Sequence, residues 1–483
     1  MWQCRHMPQD ETASDIERFL TYLHTSASNY FAVNTPITLA RAPGRLDLMG
    51  GIADYSGSLV LEMPIAVATL AAVQFSDEPV ITVCSTEASA IHVDPIVYLP
   101  LATLYEQGEP IGYSAAHRLL VADPQKAWAA YVIGVLVVLQ REGYLRLDKG
   151  LRIHLHCEVP IGKGVSSSAA LEVAAMQAIN SLCELDLNGR ELAILCQKVE
   201  NLIVGAPCGV MDQMSSACGE KDSLLALLCQ PAELQGTVPL PEDVEIWGID
   251  SGVRHAVVGV DYGSVRIGAF MGYRIIAELM GLHTVFDDDQ HVTITDPHWQ
   301  GYLANISPSR WETTYRKLIP ETIEGATFLA RYGGSTDRVT HIDPEQSYAV
   351  RQPTAHPIYE HHRVRLFRAL LSHPGSDASN LALLGELMYQ SHTSYSACGL
   401  GSHGTDRLVE LVHQAGSAAQ LYGAKITGGG SGGTVAVLAR KGADEQIQRI
   451  VEQYEQETGL QTTILRGSSS GAIAWGTIEI EYI

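Results

Sequence analysis

Positive charge is scarce in this chain. Its 483 residues carry 32 Lys plus Arg against 54 Asp plus Glu, a formal net charge of −22 at pH 7. A surface of that sign repels polyanions, so neither nucleic acid nor an anionic membrane is an expected partner. Long apolar runs are missing too. Residues 131–139, Tyr-Val-Ile-Gly-Val-Leu-Val-Val-Leu, form one of the longest, well short of the ~20 residues that span a bilayer. The segment from Met1 to His6 has no secretory apolar core. The nine cysteines are odd in number and scattered, with no Cys-x-x-Cys pair. That usage excludes a disulfide framework and a structural zinc site, and it fits reduced thiols in a cytoplasmic protein.

What is present describes a globular protein: 46% hydrophobic and 18% charged residues, and length enough for two or three domains. Residues 14–30 read as one amphipathic helix, residues 37–43 as a first strand, and residues 58–65 as the next. Between those strands, residues 44–57 read as a long Gly-rich turn presenting Arg45, Asp47, Asp54 and Tyr55. A structural salt bridge with turn caps explains such a set as well as function does. Residues 151–159 alternate as a strand, and residues 169–183 and 188–204 read as helices. Between that strand and the first helix lies Pro160-Ile161-Gly162-Lys163-Gly164-Val165-Ser166-Ser167-Ser168. Strand, Gly-rich turn and helix N-terminus together make an anion site, because the first helical N–H groups lack internal partners. An ordinary capped helix is the alternative, and the order of residues is not that of a Walker A loop. Further on, strands are expected at 224–228 and 246–249, and a helical pattern runs from Val253-Arg254-His255 and Tyr262 to Gly281. Residues 283–360 are the least readable. Their triplet Asp287-Asp288-Asp289 reads as a solvated loop rather than a metal site. A helical region at 361–395, a second Gly-rich turn at 427–433, a strand at 434–438, a helix at 443–457 and two short strands complete an α+β pattern.

Arg-Ala-Pro-Gly-Arg at 41–45, the serine loop, Pro207-Cys208-Gly209-Val210-Met211-Asp212-Gln213, and Thr-Gly-Gly-Gly-Ser-Gly-Gly at 427–433 stand in a fixed order. Together they resemble the GHMP small-molecule kinases, in particular the galactokinase branch. The resemblance implies a two-domain α+β fold. An N-terminal helical extension (1–36) would precede a ribosomal protein S5 domain 2-like domain (37–235). A ferredoxin-like C-terminal domain (236–483), with an insert near 283–360, would follow, and a terminal strand could pack back onto the first domain. It also implies roles. Gly162, Lys163, Gly164, Val165, Ser166, Ser167 and Ser168 match the family's ATP phosphate loop, and Gly429 and Gly430 belong to the turn lining the cleft beside the nucleotide. Ser168 and Glu200 match the Mg²⁺ ligands, a hydroxyl and a carboxylate of the hard type that cation prefers. Asp212 matches the catalytic carboxylate beside the sugar's anomeric hydroxyl. Arg45 matches the arginine paired with it. Asp54, Gly209 and Tyr262 match sugar contacts.

One departure bears on the substrate. Galactokinases read Gly-Glu-His-Thr-Asp-Tyr where this chain reads Gly50-Gly51-Ile52-Ala53-Asp54-Tyr55. The glutamate that contacts the sugar's hydroxymethyl group is Gly51 here, and the adjacent histidine is Ile52. A site without that partner suits L-arabinose, which shares galactose's stereochemistry at C2, C3 and C4 but lacks C6. Residues 49–61, 207–220 and 401–409 also resemble the kinase half of plant L-arabinokinases. The expectation is therefore an ATP- and Mg²⁺-dependent sugar 1-kinase making L-arabinose 1-phosphate. The alternatives are a galactokinase or a catalytically silent sugar sensor on the same fold. Exchanging Gly51 for Glu and Ile52 for His is expected to favour galactose, unless Gly51 needs a positive φ. Oligomeric state has no signal in the sequence.

Overall fold

Two long strands form the spine of the molecule. Ile37–Met49 and Leu59–Ser76 pair antiparallel from Thr38 opposite Val73 to Met49 opposite Leu61. They are apolar along most of their length, and nearly every residue is buried, as expected of strands covered on both faces. The computed structural model describes residues 2–4, 13–27, 29–253, 260–287, 290–372 and 377–482. Among these, nine strands form one sheet. Its main order is Trp2–Cys4, Thr477–Tyr482, Ile37–Met49, Leu59–Ser76, Gly150–Cys157, Val80–Ser85 and Ile96–Pro100. Ser223–Leu228 joins the free end of Leu59–Ser76 and carries Glu233–Pro239. The C-terminal strand thus returns to the first long strand, with Thr477 opposite Ala40.

Helices Ala130–Arg141, Ser167–Leu182, Gly189–Lys198 and Met211–Cys218 pack an aliphatic core with residues from the large sheet. A four-stranded antiparallel sheet, in the order Leu421–Ile426, Thr434–Arg440, Val244–Asp250 and Ile464–Arg466, packs with helices His403–Ala415 and Asp444–Thr458. A third core joins the two sheets around Leu46, Leu61, Ile246, Phe367 and Leu438.

Three sequence expectations change. The first strand does not stop at Pro43: it runs to Met49, so Arg45 and Asp47 lie in a strand and not on a loop. Pro-Gly reads as a turn, but register shifts at Pro43/Arg45 and Asp47/Met49 absorb the irregularity within the ladder. The helix expected over 188–204 changes character at its end, where Val199–Val204 is a π-helix. The described residues of 283–360 pack around a core of their own, with Trp311, Tyr315, Phe328 and Tyr348 in one cluster with Tyr273. Their hairpin strands, such as His283–Phe286 and Thr322–Glu324, are too short to show a period. Asp287 accepts bonds from Thr293 and His291. Asp288, Asp289, Arg254 and His255 lie outside the described residues.

Candidate active site

The Gly-rich segments meet because their glycines let backbones touch. A Cβ on Gly44 would stand 2.6 Å from the Val165 carbonyl oxygen, and the Arg45 N–H donates to that oxygen at 3.1 Å. A Cβ on Gly428 would be 2.6 Å from the Gly164 oxygen, and Thr434 Oγ1 donates to the Lys163 carbonyl at 2.8 Å. The serine loop is therefore clamped between the first long strand and the turn at 427–433.

The loop opens the helix Ser167–Leu182. Its N-cap, Ser166, has φ 60° and makes no capping bond. Its Oγ instead donates to Asp212 Oδ2 at 2.5 Å. The first-turn N–H groups are left without a side-chain cap, the condition under which a helix start receives phosphate. Asp212 stands in the first turn of Met211–Cys218. Its Oδ1 accepts from Arg45 Nε at 3.0 Å and Nη2 at 2.8 Å. Arg45 Nη1 donates to Gly164 O at 2.7 Å, and Glu62 Oε2 lies 3.3 Å from Arg45 Nε. Burial opposes the charge on Arg45, but Asp212, Glu62 and Asp47 outweigh it and hold its pKa above the ordinary arginine value. The side chain of Arg45 is 2% exposed and that of Asp212 is 22%, so the carboxylate is the member of the pair open to the cleft.

Glu200 lies in the π-helix, buried, bonded by Ser168 and by Gln213 Nε2 at 2.6 Å. The same amide reaches Glu172 Oε2 at 3.2 Å. Burial, with Asp212 adding to it, pushes the Glu200 carboxyl up to about 7. Asp54 is pushed up to about 6, again by burial first and Asp212 second. Its Oδ1 is buried and has no partner among the described residues, so it is ready to accept a hydroxyl. Gly209 permits that arrangement, since a Cβ there would fall 1.6 Å from Asp54 Oδ2. The ring of Tyr262 meets Tyr55 edge-on at 6.1 Å.

Arg45, Asp54, Ser166, Ser168, Glu200, Gly209, Asp212 and Tyr262 line one cleft of about 690 Å³, together with Ile52, Gly162, Gly164, Ser167 and Gly429. Four of the sequence candidates do not line it. Lys163 Nζ pairs with Asp250 at 2.7 Å. Val165 is buried in the core. Gly430 abuts Leu400, and Gly51 is packed against Tyr395 and Asp47. Gly51 is not in the left-handed region, whereas Ile52, at φ 50°, is. What bars a side chain at Gly51 is space: its Cβ would stand 1.8 Å from Tyr395 Oη and 2.1 Å from Asp47 Oδ2. Tyr395 is fully buried and its hydroxyl bonds both Asp47 Oδ2 and Gly428 O. The Gly51-to-Glu exchange is thus not a usable specificity test.

Sequence reasoning missed several contributors. The cleft also includes Ile91, Trp128, Tyr131, Leu171 and Val204, an apolar stretch of its wall. A Trp and a Tyr at the start of an otherwise aliphatic helix were the available signal. Lys425, fully buried, bonds Asp47 Oδ2 at 2.8 Å. Arg266 forms a two-pronged bond with Asp337 (2.8 Å each), donates to Cys208 O at 3.2 Å and stacks on Tyr55. Asp337, in the region that was least readable, therefore braces the sugar-loop candidates.

Three segments match known families: GHMP kinases N terminal domain over 130–220, GHMP kinases C terminal over 367–456, and the galactokinase galactose-binding signature over 28–75. The chain is 45% identical to L-arabinokinase of Arabidopsis thaliana across 94% of its own length and 48% of that protein, so it spans about half of that relative. It is 29% identical to galactokinase of Chloroflexus aggregans, covering 91% of this chain and 93% of that one. The crystal structure of Lactococcus lactis galactokinase complexed with galactose superimposes over 94% of this chain and 99% of that chain, with a TM-score of 0.72 at 20% identity, which establishes the fold. The chain therefore carries segments matching both the N terminal and the C terminal domain models of the GHMP kinases, and its Gly-rich turns meet at a single cleft.

Proposed function

We propose that this protein is an ATP- and Mg²⁺-dependent sugar 1-kinase that phosphorylates the anomeric hydroxyl of L-arabinose, giving L-arabinose 1-phosphate and ADP. In this reading Asp212 accepts the proton of the attacking hydroxyl and Arg45 offsets charge on the phosphoryl group in transfer. The N–H groups after Ser166 hold the ATP phosphates, and the surface around Trp128 and Tyr131 holds the base. Asp54 takes a sugar hydroxyl on its unpartnered oxygen. Ser168 and Glu200 fit Mg²⁺, since a buried carboxyl raised to about 7 gains from a cation at its side. When bound, that ion neutralises phosphate charge. The domain division near 235 is supported by the change of sheet between Glu233–Pro239 and Val244–Asp250. A cytoplasmic location fits the free thiols of the eight cysteines whose side chains are described. No helix among the described residues is long and apolar enough to cross a membrane.

The pentose assignment is carried by the packing at Gly51. Tyr395 Oη and Asp47 close that corner, and apolar Ile52 borders it on the cleft. A hydroxymethyl group facing Ile52 would find no acceptor, because Asp47 and Tyr395 fill the space behind Gly51 and do not line the cleft. Burying its hydroxyl unpaired costs about 1–3 kcal/mol. Wild-type kcat/KM should then favour L-arabinose over D-galactose by about 5- to 150-fold. A coupled ADP-release assay measures the ratio, and a preference for galactose would overturn the assignment. The galactose-binding signature over 28–75 supports galactokinase as the second reading.

Glu200→Gln should raise the Mg²⁺ concentration needed for half-maximal rate and leave sugar KM nearly unchanged. In the wild type the Mg²⁺ requirement should also rise as pH falls below about 7, because a proton then competes for Glu200. A collapse of sugar binding that excess Mg²⁺ does not rescue would remove Glu200 from the metal site.

A further inference from the structure

Behind the substrate-loop candidates lies a second cavity, of about 440 Å³. Its walls run against the charge of the chain. His361, Arg365 and Arg368 line it together with the amides Gln230, Gln235 and Asn305, and among the described residues no carboxylate lines it. Arg365 and Arg368 are one turn apart on the helix Arg351–Leu371, a spacing at which like charges repel. Arg368 is steadied by Gln235, donating to its side-chain and main-chain oxygens at 2.8 and 2.9 Å. His361 Nδ1 accepts the Leu59 N–H at 2.9 Å, so the proton of the neutral ring is on Nε2 and is a further donor.

We propose that this cavity binds a small phosphomonoester bearing hydroxyl groups, the guanidinium groups of Arg365 and Arg368 taking the phosphate and Gln235 with the Nε2–H of His361 reading the hydroxyls, while Gln230 and Asn305, whose amides bond each other at 2.9 and 3.2 Å, form a fixed polar wall. Guanidinium groups match phosphate oxygens in geometry and charge. Amides, as donors and acceptors at once, match hydroxyls. Two wall residues also hold the loop that carries Asp54. His361 accepts from Leu59 N, and Gln230 Nε2 donates to Gly57 O at 2.7 Å. The same helix supports that loop further along: Glu360 accepts the Gly50 N–H and His356 bonds the Gly51 carbonyl. An occupant of the cavity therefore bears on the backbone of the sugar loop.

Ribose 5-phosphate and inorganic phosphate, each titrated calorimetrically into the full-length protein saturated with Mg²⁺ and a non-hydrolysable ATP analogue, test the site. The nucleotide analogue fills the phosphate loop, so the readout does not depend on which sugar the enzyme prefers. Ribose 5-phosphate should bind, at least tenfold more tightly than inorganic phosphate. Arg365→Gln, at an exposed position remote from the cleft lining, should weaken that binding at least tenfold, and Arg365→Lys should restore part of it. Sugar KM, measured with and without ribose 5-phosphate, should shift in the wild type and not in Arg365→Gln. Absence of binding, displacement by the nucleotide analogue, equal affinity for the two probes, or unchanged affinity in Arg365→Gln would each overturn the proposal.

Discussion

Asp212→Asn should fold, bind nucleotide and lose turnover, with kcat lower by ~10²–10⁴-fold. The substitution keeps the size of the side chain, and Ser166 Oγ and Arg45 keep a neighbour there. Arg45 is not left alone in the interior, because Glu62 stands 3.3 Å from its Nε. What disappears is the one carboxylate open to the cleft that is bonded both to the arginine and to the serine loop. Phosphoryl transfer has a loose transition state in most analyses, so the loss combines proton acceptance with electrostatics. Single-turnover rates and calorimetric nucleotide affinity, taken together, separate chemistry from binding. A variant that turns over at near wild-type rate would exclude Asp212 from the mechanism.

Lys425→Met should destabilise the fold by about 3–5 kcal/mol, the range for removing one partner of a buried ion pair. Lys425 and Asp47 are both fully buried, with Nζ 2.8 Å from Oδ2. Lys425 also bonds the Asp47 carbonyl, and Tyr395 and the Gly51 N–H complete the shell of the carboxylate. Without the ammonium group, Asp47 would be a buried charge beside Glu62. Urea unfolding of Lys425→Met, Asp47→Asn and the double variant forms a cycle. The double variant should recover a large part of the loss, because the uncompensated charge is gone. A loss below about 1 kcal/mol in Lys425→Met would show that the pair does not hold this corner together. The same cycle bears on substrate choice, since Asp47 and Tyr395 are the groups that close the space at Gly51.

Residues 160–170 were legible as a Gly-rich turn between a strand and a helix start because every part of that argument is local. A strand of period two, two glycines and a run of helix formers lie within about two turns of chain of one another, and the helix start follows from them. The structure returns Gly150–Cys157 and Ser167–Leu182 on either side of the loop. The order of the Gly-rich motifs was equally open to reading, and it led to the family. Pro43-Gly44 misled the reading, because that dipeptide signals a turn when isolated, whereas here a neighbouring ladder carries the strand through it.

The sequence by itself therefore determined the local pieces: the helix that opens after the serine loop, the glycines that allow close approach, and the residue types proposed here to hold phosphate, metal and sugar. Tertiary structure alone decided which of them meet. Arg45 and Asp212 are 167 residues apart, Asp47 and Lys425 are 378 apart, and Arg266 reaches Asp337 across 71. No periodicity reports such pairs, because they are set by how two sheets and a helical insert pack, and only burial makes each charge require its partner. Gly51 shows the same division. Its lack of a side chain is visible in the sequence, but the reason no side chain fits is a tyrosine hydroxyl contributed by a helix more than three hundred residues further along the chain.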